Sequence, residues 1–546
     1  MPYINPLIEF LRAYGPSEAA NNLFDEHVQD AAERTGSAPF EVKSDLFDEL
    51  VANFESEQPD NVILTGTAGD GKTYLCRKLY ALFASKDAVD IREAGEVASF
   101  TLPRGKTLVV IKDLSELQQD QKERQLADVA AALLGQASET VYLIAANDGQ
   151  LLKFWRDFAE SHPDAARLFE RLSWMLKEEK EVDPNPDQEA RIRLRLHNLS
   201  RQANHELFER VVDAVLQHEG WDHCAACPLQ TDGPTCPIRA NRARLGVDQE
   251  TQFRKRLKDT IALAAANDMH LPMRQLFLLT ANILLGDARS QIRGGPLLTC
   301  AKAQNRAHEE AYGEVNPYDN ALGRNLRPTH REFYGAFTTL GNLGIGQETN
   351  NAVDELLIEQ GPAQRRDRVE DDPLYGARLL EPARAAYLRG ERENFDQLIG
   401  ALETQRRRLF FSLQADPHEP RLDPWSLTVV RSGGDYLTFQ ERARREDAPA
   451  SVIRQLIRGL NRTFTGAMAE DNDRLWLAIP AGNVHDRTGR VLEHDPLPIL
   501  KAKGGGAFVA VDAKGANARP RLIIRCKSDN APRAAVELRP LLFEYL

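Results

Sequence analysis

No apolar run in this chain approaches the ~18 residues needed to cross a bilayer. The longest candidates, such as Leu276 to Leu285, have the length of a core helix. The opening residues Met1-Pro2-Tyr3-Ile4-Asn5-Pro6 lack the basic and apolar regions of a secretory signal. A cytoplasmic protein with no membrane association is therefore expected. Cysteine is scarce, with six in 546 residues. In a reducing compartment these are free thiols or metal ligands rather than a disulfide framework. No excess of positive charge is present: the formal net charge of −12 argues against a surface wrapped by nucleic acid, though a local basic groove stays compatible with it. Internal repeats and low-complexity segments are lacking too. What remains is an ordinary soluble composition, 42% hydrophobic and 27% charged. Its length predicts about three or four domains.

The most informative stretch is Asn61-Val62-Ile63-Leu64-Thr65 followed by Gly66-Thr67-Ala68-Gly69-Asp70-Gly71-Lys72-Thr73. An apolar run breaks into Gly-x-x-x-x-Gly-Lys-Thr and then into a segment of helical spacing from Tyr74 to Phe83, the strand, loop and helix that a Walker A motif requires. Gly66, Gly69 and Gly71 allow backbone conformations that turn successive N–H groups into one concavity fit for a polyphosphate. The helix N-terminus adds partial positive charge. Lys72 can reach the β and γ phosphates, and the Thr73 hydroxyl is placed to ligate Mg²⁺. ATP and Mg²⁺ are thus the expected ligands of residues 66–73. A Gly-rich turn before an ordinary helix is the blander reading, which the matching flanks disfavour.

Lys106 to Asp113 has the Walker B form, four apolar residues leading to a carboxylate that would hold Mg²⁺. ATPases of this type usually carry a glutamate directly after that aspartate. Here the order is Asp113-Leu114-Ser115-Glu116. Glu116 is the candidate base, although Ser115 and Glu116 serve equally as cap and first-turn acid of a helix expected from about 116 to 135. The next strand, Thr140 to Ala146, ends in Asn147-Asp148-Gly149, and Asn147 is the residue chosen to orient the attacking water, against the commoner reading of a turn. Arg191 to Leu196 alternates strictly, as an edge strand with one wet face does. Arg201, just past the end of that strand, is a candidate finger toward a neighbouring subunit, against an ordinary surface arginine. Leu271-Pro272-Met273-Arg274 opens a helix, where Arg274 could reach back to the phosphates or simply face solvent.

Half of the cysteines fall within thirteen positions: Cys224, Cys227 and Cys236. Cys-x-x-Cys at a knuckle plus a third thiol across a Pro/Gly loop suits a structural Zn²⁺. The fourth ligand stays open between His223, sterically awkward beside Cys224, His218 and a distant residue. Three unmetallated thiols around a turn are the alternative. Arg406-Arg407-Arg408 could meet a nucleic acid backbone, though a solvated helix face is the commoner explanation.

In this order, the motifs at 66–73, 113, 146–149, 224–238 and 271–274 resemble an AAA+-like ATPase. More narrowly, Gly-Asp-Gly-Lys-Thr, Ala-Ala-Asn-Asp-Gly-Gln-Leu and the cysteine cluster resemble ATPases of bacterial anti-phage defence operons, the DNA phosphorothioation-dependent restriction F-type proteins among them. The likeness covers roughly residues 61–290. It implies ATP hydrolysis coupled to defence or restriction together with operon-encoded protein partners; a homo-oligomer is expected besides, and whether DNA is a further partner stays open. The expected fold is an α/β P-loop NTPase core with a helical lid, an additional helical region and a small β-rich C-terminal domain. The boundaries read as a helical leader at 1–60 packed on the ATPase, a core at 61–205, a zinc-binding insertion at 206–248, a lid at 249–345, a helical domain at 346–470 and the β-rich domain at 471–546. Two functions compete: an ATPase motor or switch, and a nucleotide-gated signalling or scaffold protein that binds ATP with little hydrolysis.

Overall fold

The computed structural model describes residues 4–16, 24–84, 95–117, 119–137, 139–183, 192–230, 233–247, 250–292, 297–359, 372–391, 395–465, 474–476, 478–479, 490–491, 497–498, 507–514 and 519–546. Arg191, the Pro184-Asn185-Pro186 linker, and the loops Gly294–Pro296, Gly504–Gly506 and 517–518 lie outside them. The chain divides into two units, one of residues 41–202 with 272–276, the other of 1–40, 203–271 and 277–546.

The smaller unit is built on a five-stranded sheet in the order β2-β3-β4-β1-β5. Its strands are β1 (Asn61–Thr65), β2 (Val97–Thr101), β3 (Thr107–Ile111), β4 (Thr140–Ala145) and β5 (Leu194–Asn198). β3, β4, β1 and β5 run parallel, and β2 closes one edge antiparallel to β3. Every residue of β1 is buried, which explains a continuous apolar run where a half-exposed strand would alternate. Alternation is still at work, but it sorts side chains between two cores. Val62, Leu64, Val110 and Leu143 face a cluster that includes Leu75 and Leu79 of helix Lys72–Phe83 and Leu50 and Phe54 of helix Asp45–Glu55. Ile63, Ile111, Ile144 and Leu196 face Leu126, Trp155 and Leu172 of helices Gln119–Leu133, Asp148–Ser161 and Pro163–Lys177. Burying side chains of this size stabilises by about 1.5–3 kcal/mol each. The result is a three-layer α/β unit whose parallel strands all present their C-terminal tips at one edge.

β5 lies at the sheet edge as its alternation predicts, in register with β1 from Asn61 opposite Leu194 to Thr65 opposite Asn198. Its wet face is not bare, since Arg195 pairs with Glu49 at 2.8 Å and Asp60 at 3.2 Å. The helical leader divides. Asp45–Glu55 packs on this sheet, whereas residues 1–40, with helices Pro6–Arg12 and Phe24–Thr35, belong to the other unit. The helix expected from about 116 begins at Gln119, so Ser115 and Glu116 precede it in the turn.

The larger unit is mainly helical, with helices including Asn204–Leu216, Pro237–Leu245, Gln252–Ala266, Cys300–His308 and Phe395–Ser412. Near the C-terminus it carries an antiparallel three-stranded sheet of Ala507–Lys514, Arg519–Cys526 and Pro532–Glu537. Both expectations for Arg406, Arg407 and Arg408 fail here, because all three are buried, at 6%, 6% and 3% exposure. Arg406 meets the Asp354 carboxylate through two bonds of 2.8 Å, Arg407 pairs with Asp319 at 2.5 Å, and Arg408 donates to the Gln405 side-chain oxygen at 2.9 Å. Three consecutive helical positions point in directions about 100° apart. They cannot form one flat basic face.

Candidate functional site

The tips of β1, β4 and β5 converge on the loop that follows β1. Gly66, Gly69 and Gly71 all have positive φ, at 135°, 89° and 91°. Two of them are crowded as well: a Cβ on Gly66 would come within 2.7 Å of the Asp70 carboxylate, and one on Gly69 within 3.1 Å of the Arg274 Cβ. Glycine is required at these points by conformation and by space together. Thr67 and Ala68 form the exposed crown of the loop, and helix Lys72–Phe83 starts immediately after left-handed Gly71.

Asp70 braces this loop from within. Its Oδ2 accepts from the Thr67 N–H at 2.6 Å, from the Thr67 hydroxyl at 3.0 Å and from the Ser200 hydroxyl at 2.7 Å. Ser200 in turn accepts from the Thr67 N–H at 2.8 Å. The carboxylate is only 4% exposed and is turned to the loop itself. A second carboxylate ties the strand tips. Asp148, one residue past Asn147, accepts from the Thr65 hydroxyl at the end of β1 and from the Asn198 amide at the end of β5, the latter at 2.8 Å.

Lys72 lies between these elements. Its Nζ donates to the Gly66 carbonyl at 3.1 Å, the Thr67 carbonyl at 2.7 Å and Asn147 Oδ1 at 2.9 Å. Burial pushes the Lys72 pKa down from its ordinary value, while the nearby charges of Asp70, Asp113 and Asp148 push it back up. The ammonium is thus desolvated but surrounded by acid. A cation held this way is preorganised for anionic ligand oxygens, because carbonyls can be exchanged for phosphates without moving the side chain far.

Asp113 stands two residues beyond β3, and β4 runs between β3 and β1, so Asn147 at the β4 tip falls between the lysine strand and the aspartate strand. Asp113 Oδ1 accepts from the Ser115 N–H at 2.8 Å and the Ser115 hydroxyl at 2.6 Å, which fixes the carboxylate at the strand end. Glu116 is exposed. Burial, together with the charges of Glu96 and Asp113, pushes its pKa up from its ordinary value. Its charged neighbours include those acids and Lys112.

Arg274 opens helix Met273–Leu285 against the loop. Its N–H donates to the Gly69 carbonyl at 3.2 Å, and Met273 approaches Gly71. Arg201, in the turn after β5, lies 3.7 Å from Glu179, both partly exposed. Residues 66–73, Asp113, Asn147 and Arg274 are therefore gathered at one sheet edge, whereas Glu116 and Arg201 are engaged with acids at its margin. Sequence reasoning passed over Asp148 and Ser200. The nearest signal was a second polar residue directly after Asn147, and no local pattern gives its partners.

Cys224, Cys227 and Cys236 belong to the larger unit, where they line one small cavity together with Cys300 and Asn5. His218 is already occupied on both ring nitrogens: Nδ1 accepts from the Gly220 N–H at 3.0 Å and Nε2 lies 3.0 Å from the Ala38 carbonyl. Among the described residues, the ligating atoms of Glu49, Glu181 and His197 lie within 4.8 Å of one another. Both glutamates are exposed, and Glu49 already carries Arg195. A cavity of about 870 Å³ between helices Gly433–Arg444 and Ala450–Thr465 and the C-terminal helix holds Arg442, Arg458 and Arg462. Asp435 and Glu544 line it as well, and Glu544 accepts from the Ser432 N–H at 2.6 Å. Comparison with protein-family models, curated proteins and solved structures finds no match to this chain.

Proposed function

We propose that the chain binds ATP with Mg²⁺ at residues 66–73 and hydrolyses it, as an AAA+-like motor or switch subunit of a bacterial defence or restriction complex. The observation that carries this reading is Lys72, a buried ammonium held jointly by the loop carbonyls and Asn147 at the C-terminal edge of parallel strands. The loop N–H groups and the helix N-terminus bind the phosphates, and Lys72 transfers its bonds from Gly66 and Thr67 to their oxygens. Thr73 and Asp113 are the residues that would hold Mg²⁺, a hydroxyl and a carboxylate matching its preference for hard oxygen donors. The ion supplies charge neutralisation on the β and γ phosphates. Asn147 orients the attacking water, and Arg274 carries the nucleotide state into the first turn of helix Met273–Leu285. Operon-encoded protein partners, further copies of the chain and DNA are the partners this reading implies.

A second reading is favoured by one specific feature. Glu116 is exposed, with the charges of Glu96 and Asp113 close by, and Asp113 is not followed directly by the glutamate that usually polarises the attacking water. A chain with no better base would bind ATP and act as a gated scaffold. Steady-state turnover separates the two. For the hydrolase, Asn147→Ala is expected to lower kcat about a hundredfold, the scale of a misplaced reactant, with ATP affinity changed far less. Glu116→Gln is expected to leave kcat within a few fold if the water is oriented by Asn147 alone. Wild-type protein that binds ATP yet shows no turnover, with and without DNA, would establish the scaffold.

A further inference from the structure

Four cysteines of the larger unit converge although they come from three separate segments. Cys224 and Cys227 flank the end of the turn Glu219–Ala226, with the Cys227 N–H donating to the Cys224 carbonyl at 3.1 Å. Cys236 stands at the N-cap position of helix Pro237–Leu245. Cys300 is the first residue of helix Cys300–His308. Two of the four thiols therefore sit at helix N-termini. Asn5, fully buried, links two of the segments. Its side-chain amide donates to Cys224 Sγ at 3.2 Å and its backbone N–H to Cys300 Sγ at 3.4 Å.

These donors bear on what occupies the centre. A neutral thiol is a weak acceptor, whereas the two Asn5 N–H groups aimed at separate sulfurs are the pattern that a metal-bound thiolate needs to spread its charge. The cavity enclosed by the four sulfurs, Asn5 and Leu229 has a volume of about 20 Å³. That is room for one atom-sized occupant. All six cysteines are free, so no disulfide competes for these sulfurs.

We propose that Cys224, Cys227, Cys236 and Cys300 bind one structural zinc ion, with Cys300 as the fourth ligand and Asn5 holding two of the sulfurs in place. Tetrahedral zinc with sulfur at about 2.3 Å brings the ligands to about 3.8 Å from one another. The sulfurs are less tightly grouped than that, so binding draws them inward around the cavity. The ion then fastens the 224–245 region and helix Cys300–His308 to one point, with Asn5 tied to it through the sulfurs, and closes a loop with 63 residues between Cys236 and Cys300. Four protein sulfurs leave no position for a substrate, which makes the role structural.

Elemental analysis of the full-length protein is expected to give one zinc per chain and no stoichiometric iron. Replacement by Co²⁺ should yield the absorption of a tetrahedral four-thiolate site. Cys300→Ser should shift that spectrum to three-thiolate character and lower the zinc content. Cys526→Ser, far from the cluster in sequence and on the C-terminal sheet, should change neither. Should Cys300→Ser not fold, Asn5→Ala provides the second arm: all four ligands remain, and zinc affinity measured against a chromophoric chelator should fall about 10–100-fold. Stoichiometric iron, wild-type protein that takes up neither Zn²⁺ nor Co²⁺, or a four-thiolate cobalt spectrum retained by Cys300→Ser would each overturn the assignment.

Discussion

Lys72→Ala is expected to weaken ATP binding by about 10²–10⁴-fold, since it removes charge-assisted hydrogen bonds to two phosphate oxygens worth about 1.5–3 kcal/mol each. The effect is large because the lysine needs no recruitment. Its ammonium is already buried to 8% exposure and held by Gly66, Thr67 and Asn147. Binding exchanges carbonyl partners for phosphates, so little of the interaction is spent on ordering the side chain. The variant also strips a cation from three acids, Asp70, Asp113 and Asp148, and their uncompensated charge then repels the polyphosphate. Titration calorimetry with ATP-Mg²⁺ reads the result directly. A Kd within threefold of wild type would falsify the assignment of the loop to phosphate. Both the hydrolase and the scaffold predict the same loss, so this experiment tests the site itself and turnover of Asn147→Ala tests what the site does.

How much of this was legible beforehand depends on the distance over which each feature is built. The loop from Gly66 to Thr73 and the strand before it were readable because everything they need is local: an apolar run, glycines at positive φ and a helix start. The edge position of β5 was readable from its alternation. The bracing of the loop was not, since Asp70 finds Ser200 at a separation of 130 residues and Asp148 finds Thr65 and Asn198 at 83 and 50. An Asn-Asp-Gly at a strand end offers two polar side chains, and only the topology says which one turns to the lysine and which to the neighbouring strands. Cys300 was invisible for the same reason. A single cysteine 64 residues past a cluster has no spacing to mark it. Glu116 was chosen from its place in the chain, and the neighbouring charge of Glu96 was not legible there, because it lies 20 residues earlier, just before β2.

The arginine run at 406–408 misled for a reason available in the sequence, and it yields the second large effect. Asp354→Ala is expected to destabilise the larger unit by about 3–5 kcal/mol, the cost of leaving a buried charge without its partner. Arg406 and Asp354 side chains are 8% and 19% exposed and joined by two parallel bonds of 2.8 Å, so water cannot readily replace the lost carboxylate. The double variant Arg406→Met with Asp354→Leu should recover most of that loss, because replacing both members of a buried pair by apolar groups of similar size is often neutral. Thermal unfolding of the single and double variants measures this coupling. A nucleic-acid-binding role for the run predicts the reverse: Arg406→Ala would leave the melting temperature unchanged while lowering a salt-dependent affinity for DNA. If DNA binds this chain at all, its contacts must then come from arginines that are not already neutralised within the fold, and the salt slope of binding should be unaffected by conservative changes at Arg406, Arg407 and Arg408.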